Sequence, residues 1–431
     1  ITLKNKMDKI TSVRGFKDIL PGDTEKWHFV EEKAREIFTN FGVREIKIPI
    51  LEKTDLFKRG IGEATDIVEK EMYTFRDRGD EYLTLRPEAT ASVIRAYIEH
   101  NMHASEPVTK LLTIGPMFRR ERPQKGRFRQ FHQINVEIIG QKDPRVDAEL
   151  MLMLVEFFSA VGLDNLKLEI NSLGCHRCRP SFRETVTDFL RGKEKSLCPD
   201  CHRRLETNPL RIFDCKVETC QEVIAEAPVI LDFICDECGE HFEKVKEYLT
   251  TFDISYVINK KMVRGLDYYT QTAFEVITES MGAQNAVAGG GRYDGLIEEL
   301  GGEDIPGIGF AIGIERLISM IPMKNENFVK YPHLFIAALG EDAQRLAFTL
   351  TNKLRMNGIR TEMDLSDKSL KSQMKRSNKL KCLYTLIIGQ KEIEENKAEL
   401  RNMKEGTQET VELDNIIERI EIRIRGLATN P

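Results

Sequence analysis

The 431-residue sequence has no apolar run long enough to cross a membrane, and its first residues lack the apolar core of a signal peptide. It also has no internal repeat and no low-complexity tract. A formal net charge of −5 argues against a chain that binds polyanions indiscriminately. We therefore expect a soluble, cytoplasmic protein without a membrane partner. In that compartment, its nine cysteines favour free thiols or metal ligands over disulfides.

The chain divides into stretches with different patterns. A helix over 25–42 and two long strands over 110–121 and 128–140 belong to a mixed stretch of helices and strands. A cysteine-rich segment of about residues 172–256 interrupts this stretch. From His333 onward, strands and helices alternate, which is typical of a small α/β domain with parallel strands.

Three further local predictions concern segments with unusual composition. A strand over 43–50 follows the helix, a strand pattern covers 263–277, and a helix opens near Gly309. The segment 286–296, "AVAGGGRYDGL", suggests a phosphate loop when read alone. It lacks the spacing of either standard glycine-rich phosphate motif, so a tight pocket wall is favoured.

The hairpin formed by the two long strands carries six basic residues between Arg119 and Arg129. A solvated charged loop would explain them. On the second strand, however, alternate residues place a ring, amides and a carboxylate on one face, opposite an apolar face: Arg129, Phe131, Gln133, Asn135 and Glu137. Guanidinium groups beside an aromatic ring suit the phosphates and base of a nucleotide, so we favour a nucleotide site.

The stretch "MVRGLDYYTQTAFEVI", 262–277, places a cation, a glycine and a carboxylate within four residues of a strand-like run. One interpretation is an edge strand with a chance ion pair between Arg264 and Asp267. The other is that Arg264 projects toward an anionic ligand.

The cysteine-rich segment contains two C-x2-C pairs separated by 19 residues, within zinc-ribbon spacing. We predict one structural zinc on Cys175, Cys178, Cys198 and Cys201. Buried reduced thiols, or the remnants of a lost metal site, are the alternatives. The sequence assigns no role to the other four cysteines of this segment: Cys215, Cys220, Cys235 and Cys238.

The hairpin resembles the second signature motif of class II aminoacyl-tRNA synthetases, F-R-x-E, a loop, then R-x-x-x-F: here Phe118, Arg119, Glu121, Arg127 and Phe131. The stretch "GIGFAIGIERLI", 307–318, resembles the third motif and includes Arg316. Residues 42–49 resemble the first motif, whose helix and strand form a dimer interface. Because the three motifs occur in the family's order and spacing, the chain is similar to this class.

Three more segments resemble the histidine-specific motifs of the histidyl-tRNA synthetase family: "LRPEAT" (85–90), "MVRGLDYYT" (262–270) and "AVAGGGRYDGL" (286–296). The resemblance extends from about Arg14 to the C-terminus. One departure is Ala89, where many members have glycine.

The resemblance implies an α+β fold: a class II catalytic core built on an antiparallel sheet flanked by helices, a helical, cysteine-rich insertion, and a C-terminal α/β anticodon-binding domain. The implied boundaries are 1–171 and 257–325 for the core, 172–256 for the insertion and 331–431 for the anticodon domain. It also implies a homodimer.

The implied activity is that of a histidine–tRNA ligase, with L-histidine, ATP (as substrate, with Mg2+) and histidine tRNA as partners. A rival is an inactive, synthetase-like regulatory subunit that senses histidine. Class II enzymes for proline, threonine or glycine, and a plain nucleic-acid-binding module, are further alternatives. The intact arginines and the histidine-like segments favour the ligase.

The resemblance also assigns roles to individual residues. Arg119 and Arg264 are implied as the catalytic pair at the α-phosphate of ATP. The implied ATP-binding residues are Arg119, Glu121, Arg127, Phe131 and Arg316. The implied histidine-binding residues are Glu88, Ala89, Thr90, Arg119, Gln133, Glu137, Arg264, Tyr268, Tyr269 and Tyr293.

Overall fold

A computed structural model of the chain describes residues 9–63, 65–123, 126–278 and 286–428. The chain divides into two compact units, with the boundary between Asn327 and Phe328. Among the described helices, none combines the length and apolar character that a membrane crossing requires.

The first unit is built on an eight-stranded sheet with the order β1-β5-β6-β11-β10-β9-β7-β8 and a small antiparallel sheet, β2-β4-β3. The six central strands of the large sheet are antiparallel, and each edge strand runs parallel to its neighbour. The strands are β1 Arg44–Glu45, β2 Leu51–Lys53, β3 Tyr73–Arg76, β4 Tyr82–Leu85, β5 Thr109–Phe118, β6 Gln130–Ile139, β7 Lys167–Ser172, β8 Tyr256–Ile258, β9 Thr270–Ile277, β10 Ala286–Arg292 and β11 Gly307–Gly313.

The helices of the first unit are α1 Thr24–Asn40, α2 Thr54–Ile61, α3 Thr90–Glu99, α4 Pro144–Ala160, α5 Arg179–Gly192, α6 Pro199–Thr207, α7 Glu218–Glu226, α8 Asp236–Thr251, α9 Leu296–Glu299 and α10 Ile314–Met320. Phe38 of α1 packs its ring 5.4 Å from that of Phe157 in α4 and 5.7 Å from that of Phe310 in β11. Since Phe310 faces these helices, its neighbours Gly309 and Ala311 face the other side of the sheet.

Three local predictions are corrected in this unit. The expected strand over 43–50 is reduced to β1, and the expected helix near Gly309 is a strand until Gly313, with α10 beginning at Ile314. The strand expected from residue 263 begins at Thr270. In the last case the residues before Thr270 form a loop over the sheet, and that loop carries Arg264.

The second unit contains a five-stranded sheet with the order β13-β12-β14-β15-β16. Its first three strands are parallel, as predicted, whereas β15 and β16 form an antiparallel hairpin that was not predicted. The elements are β12 Leu334–Ala338, α11 Glu341–Met356, β13 Thr361–Met363, α12 Leu370–Lys379, β14 Tyr384–Ile388, α13 Gln390–Glu394, β15 Lys397–Asn402, β16 Gln408–Glu412 and α14 Ile416–Ala428.

Candidate active site

A cavity of about 400 Å³ lies on the face of the large sheet that α1 and α4 do not cover. Its walls come from β6, β9, β10 and β11, from the start of α3 and from the loop before β9. Of the residues predicted to bind histidine or ATP, Ala89 alone does not line the cavity; it is buried and precedes α3. The others do: Glu88, Thr90, Arg119, Glu121, Arg127, Phe131, Gln133, Glu137, Arg264, Tyr268, Tyr269, Tyr293 and Arg316.

The floor of the cavity pairs long polar side chains with very small neighbours. On β6, Glu137 lies opposite Gly309 of β11, and Gln133 lies opposite Gly313. A Cβ atom at Gly309 would lie 1.8 Å from the Oε2 atom of Glu137, so only glycine fits there. The glycines of the third motif therefore leave room for the polar face of the second.

Glu137 is the central hydrogen-bond acceptor at one end of the cavity, called the inner end here, where Thr90 and Tyr293 also lie. It accepts hydrogen bonds from the Thr90 hydroxyl at 2.7 Å and from the Tyr293 hydroxyl at 2.8 Å. Burial and, to a lesser extent, the nearby Glu88 raise the pKa of Glu137 to about 8, although the two hydrogen bonds lower it. A buried carboxyl with a pKa of this kind is suited to a cationic ligand, which would stabilise its charged form.

Glu88 forms a second buried carboxyl beside it. Its oxygens accept hydrogen bonds from the backbone N–H groups of Thr90, at 2.7 Å, and Ala91, at 2.9 Å, in the first turn of α3. Burial raises the pKa of Glu88, although both bonds lower it. The Tyr268 ring packs 4.7 Å from that of Tyr269. The inner end thus combines two carboxyls with aromatic walls.

Apart from Glu121 Oε2, which is ion-paired with Arg127, three polar atoms of the site have no hydrogen-bond partner within the part of the chain that the structure describes. They are buried, and they belong to side chains that line the cavity: Gln133 Oε1, Asn135 Nδ2 and Arg264 Nε. Because buried polar groups in folded proteins are nearly always paired, these atoms mark positions where a ligand would donate or accept.

The outer end of the cavity is cationic and aromatic. The Arg119 guanidinium lies 5.3 Å from the centre of the Phe131 ring and donates to the carbonyl oxygen of Pro87 at 2.9 Å. Glu121 forms ion pairs with Arg127, at 2.9 Å, and with Arg119, at 3.9 Å. This is the arrangement that the hairpin pattern predicted for a nucleotide.

Arg316 enters the same end from α10, where it donates to the carbonyl oxygen of Ala286. Burial lowers the pKa of Arg316, and the Arg127 guanidinium lowers it further. The preceding residue, Glu315, accepts hydrogen bonds from the backbone N–H of His132 at 3.0 Å and lies 2.8 Å from its Nδ1 atom. The second and third motifs are therefore joined by direct side-chain contact.

Arg264 extends from the loop before β9 across the sheet. It pairs with Glu275, and its guanidinium lies 5.2 Å from the centre of the Tyr269 ring. Although burial opposes it, the Glu275 carboxylate raises the pKa of Arg264. Asp267, the pairing partner considered from sequence, instead accepts a hydrogen bond from Asn208 at 3.0 Å. The edge-strand interpretation with an Arg264–Asp267 pair is therefore wrong.

The cysteines group differently from the prediction. Cys175 and Cys178 lie with Cys235 and Cys238, whereas Cys198 and Cys201 lie with Cys215 and Cys220. The predicted set of Cys175, Cys178, Cys198 and Cys201 is therefore wrong. Its 19-residue spacer contains α5, a helix of 14 residues and about 20 Å, which separates the two pairs.

Of the carboxylates that line the cavity, sequence reasoning missed two, Glu275 and Glu315. Glu275 is an isolated carboxylate in the otherwise apolar run "TAFEVI", which was an available signal. Glu315 adjoins Arg316 in the third motif, but its contact with His132 depends on the tertiary fold.

A family model described as histidyl-tRNA synthetase matches residues 15–317 of the chain, and one described as an anticodon-binding domain matches residues 333–423. The chain belongs to the histidyl-tRNA synthetase family. A relative named histidine–tRNA ligase from Syntrophotalea carbinolica is 52% identical over 97% of this chain and 99% of its own length. A relative of that name from Geobacter sulfurreducens is 54% identical, over 94% and 97%.

Among solved structures, apo histidyl-tRNA synthetase from S. aureus matches with a TM-score of 0.80 and 40% identity, covering 96% of this chain and all of that one. Membership of the histidyl-tRNA synthetase family confirms the resemblance read from the motifs and the α+β, class II fold. The regulatory-subunit alternative is not favoured, because relatives at about half identity over nearly the whole chain carry the ligase name.

Proposed function

We propose that the chain activates L-histidine with ATP in this cavity and transfers the histidyl group to the 3′-terminal adenosine of histidine tRNA. The observation that carries the proposal is the inner cluster of Glu137, Thr90 and the unpartnered Gln133 Oε1. A carboxylate, a hydroxyl and an amide oxygen together match the three N–H donors of an α-ammonium group.

The side chain of the substrate has a separate set of partners in this proposal. A neutral imidazole has one donor and one acceptor, and a site that reads both leaves costly unpaired groups when another amino acid enters. Glu88 and Tyr269 supply an acceptor and a donor within the buried, aromatic part of the cavity. Tyr268 and Tyr293 form its walls, and Ala89 contributes through the backbone that precedes α3.

In the activation step, a carboxylate oxygen of histidine attacks the α-phosphorus of ATP, and the bond to the pyrophosphate oxygen breaks. Such a reaction depends on in-line positioning and on neutralising charge. Arg119 and Arg264 supply guanidinium donors to the α-phosphate, while Arg127 and Arg316 hold the γ-phosphate. Phe131 stacks on adenine, and Glu121 accepts from its amino group.

The family implies that ATP is used with Mg2+. This ion prefers oxygen ligands, keeps several waters and binds through phosphates together with one or two carboxylates. Of the carboxylates that line the cavity, Glu275 and Glu315 are the two that the proposal leaves to this role, and they would fit beside a phosphate-bound ion. Each also contacts a cation or a histidine of the chain. We therefore assign most of the coordination of Mg2+ to the phosphates.

A homodimer belongs to the same proposal. The small sheet presents a mostly apolar face on which Leu51 and Phe75 are 38% and 46% exposed, beside Tyr73, Leu83, Leu85 and one cation, Lys53. An exposed apolar sheet face is typical of a surface that a second copy covers. It adjoins the segment 42–49, whose motif implies the interface.

The proposed activity also assigns a function to each domain of the chain. We assign catalysis to residues 1–171 and 257–325, an acceptor-stem contact to the insertion at 172–256, and anticodon reading to 331–431. We also assign the protein to the cytoplasm, where tRNA is charged and where its cysteines stay reduced. The insertion's thiols are soft ligands that suit a structural Zn2+.

ATP–pyrophosphate exchange with each amino acid in turn tests the proposed activation. We expect exchange with histidine and only background with proline, threonine or glycine. Exchange with none of the amino acids, combined with intact histidine binding, would instead support a histidine-sensing regulatory subunit.

A further inference from the structure

We propose that the insertion holds two zinc ions, one in each four-cysteine cluster, and that the ion nearer the core fixes the wall of the histidine pocket. The core-side cluster is Cys175, Cys178, Cys235 and Cys238, and the distal cluster is Cys198, Cys201, Cys215 and Cys220. The effect on the pocket rests on the proposed histidine activation, whereas the two metal sites do not.

The sulfur positions carry the first part of the proposal. In each cluster the four sulfurs lie within 4.8 Å of one another. The Sγ–Sγ distances in the structure are 3.6 Å for Cys175–Cys178, 3.9 Å for Cys178–Cys238 and 3.8 Å for Cys198–Cys215. A tetrahedral zinc with bonds of about 2.3 Å places its sulfurs about 3.8 Å apart. A disulfide would require about 2.05 Å.

The two clusters also repeat one local geometry. Cys198 and Cys235 each precede a helix with nearly equal backbone angles, φ −74°, ψ 163° and φ −73°, ψ 164°. The backbone N–H of each donates to a sulfur of its own cluster at 3.2 Å, Cys198 to Cys220 and Cys235 to Cys178. Amide donors and a helix N-terminus both stabilise thiolates, which are the form that binds metal.

The order of the cysteines in the chain explains why two sites arise. The core-side cluster joins the first pair of the insertion to the last, and the distal cluster uses the four cysteines between them. The core-side ion would therefore tie the start of the insertion, just after β7, to the N-terminus of α8. The distal ion would close a loop wholly within the insertion.

The core-side cluster contacts the segment that carries the pocket wall. Arg179, which directly follows Cys178, donates to the backbone carbonyl oxygen of Tyr269. The backbone of Gln271 bonds to Gly174 at 3.0 Å and to Leu173 at 2.6 Å, just before Cys175. Loss of this cluster would therefore release the backbone on both sides of the segment from Tyr269 to Gln271.

The experiment compares zinc content and histidine binding in matched variants of the full chain, purified without chelators. Wild type should contain about two equivalents of zinc per chain. The double variants C175S/C178S and C198S/C201S should each retain about one. Cys382→Ser, which alters the buried cysteine of the second unit, should retain both.

Histidine binding distinguishes the role proposed for the core-side ion, which is to fix the pocket wall, from that of the distal ion, which lies within the insertion. The C175S/C178S variant should bind histidine about tenfold more weakly, because small displacements of positioning groups are costly. The C198S/C201S variant should weaken histidine binding much less. Asn208 and Arg211 of the distal loop do contact Asp267 and the carbonyl oxygen of Arg264, but the Tyr269 segment keeps its bond to Arg179. Equal weakening of histidine binding in both variants, or no weakening in either, would show that the core-side ion does not fix the pocket wall. The proposal of two zinc ions would be unaffected by that result.

The zinc count has its own decisive outcomes. One equivalent of zinc in wild type and none in either double variant would mean a single shared site. Less than about a tenth of an equivalent in wild type would mean reduced thiols without metal. If a variant does not fold, native mass spectrometry of wild type still decides the number of ions. A loss of hydrogen mass in place of a metal adduct would reveal disulfides and overturn the proposal.

Discussion

The Tyr293 hydroxyl donates a hydrogen bond of 2.8 Å to Oε2 of Glu137, in a part of the cavity where both side chains are 1% exposed. Thr90 donates to the other carboxylate oxygen. Two neutral donors do not offset the burial of a charge, and the pKa of Glu137 stands at about 8. Burial therefore disfavours the charged form of this carboxyl when no substrate is bound.

Histidine binding should release a proton from Glu137 at pH 7.5, because the substrate ammonium stabilises the carboxylate form. Calorimetry in buffers of different ionisation enthalpy measures this proton. Glu137→Gln should abolish the release and weaken binding about 10- to 100-fold, since a hydrogen bond to a charged group contributes about 1.5–3 kcal/mol. An unchanged proton count in the variant would remove Glu137 from this role.

The same carboxyl makes a prediction about stability in the absence of substrate. Its pKa is raised from 4.5 to about 8 by folding, so the stability that it contributes is fully present below pH 4.5 and is lost as the pH rises through 8. Glu137→Gln should flatten that part of the profile of unfolding free energy against pH. Asp143→Asn is a control, because the pKa of this exposed carboxyl is lowered, to about 2.

Arg264→Ala should slow single-turnover adenylate formation by about 10²–10³-fold, the usual cost of losing one preorganised donor to a transition state. Histidine binding should change little. Lysine should rescue only in part, because an ammonium lacks the planar, two-pronged guanidinium geometry. Melting temperature is measured on the same samples: a destabilised variant that reacts at the parental rate would make Arg264 a structural residue paired with Glu275.

Phe131→Leu should raise the KM for ATP about tenfold, because stacking of a base on an aromatic ring contributes about 1–3 kcal/mol. The KM for histidine should stay the same. Phe131→Tyr retains the ring and serves as the control. Equal effects of both substitutions on ATP would show that shape at this position matters, and stacking does not.

Phe75→Asp should dissociate the dimer, because an unpaired charge in an apolar interface costs several kcal/mol and would raise the dissociation constant by about 10²-fold or more. Sedimentation equilibrium measures the change. Phe252→Asp alters a ring that is 58% exposed in the insertion, outside the small sheet, and should leave the dimer intact. A wild-type protein that is monomeric and fully active would refute the interface.

Deletion of residues 328–431 should leave histidine-dependent pyrophosphate exchange measurable, since no predicted cavity residue lies in that unit. Charging of tRNA should fall by roughly 10²-fold, because a second linked contact contributes through effective concentration. Charging that is untouched by the deletion would remove anticodon reading from the second unit.

The sequence predicted those parts of the site that depend on strand alternation. Because side chains alternate on β6, the shared face of Phe131, Gln133 and Glu137 followed from spacing alone, and the three line one cavity. The pairing of Arg264 could not be read locally. Its partner Glu275 lies eleven residues along the chain, on the strand to which the loop returns.

The grouping of the cysteines into two clusters also could not be predicted from the sequence, because it depends on how the chain between the pairs folds. Spacing between C-x2-C pairs carries information only when the intervening chain folds back, and α5 runs straight between the first two pairs. The hairpin of β15 and β16 was missed because its residues are mostly polar and lack a clear apolar alternation. Its one buried residue on β16 is Val411.

Two glycines in the floor of the cavity, Gly289 and Gly309, limit how the substrate preference of this enzyme could be changed. Any side chain at Gly309 would collide with Glu137, and a Cβ atom at Gly289 would lie 2.7 Å from the Arg264 guanidinium. If Glu137 binds the ammonium and Arg264 the α-phosphate, as proposed, directed evolution toward histidine analogues cannot change these glycines without losing one of the two contacts. Useful variation has to come from the aromatic wall at Tyr268 and Tyr269, so a library confined to that loop should contain the accessible new specificities.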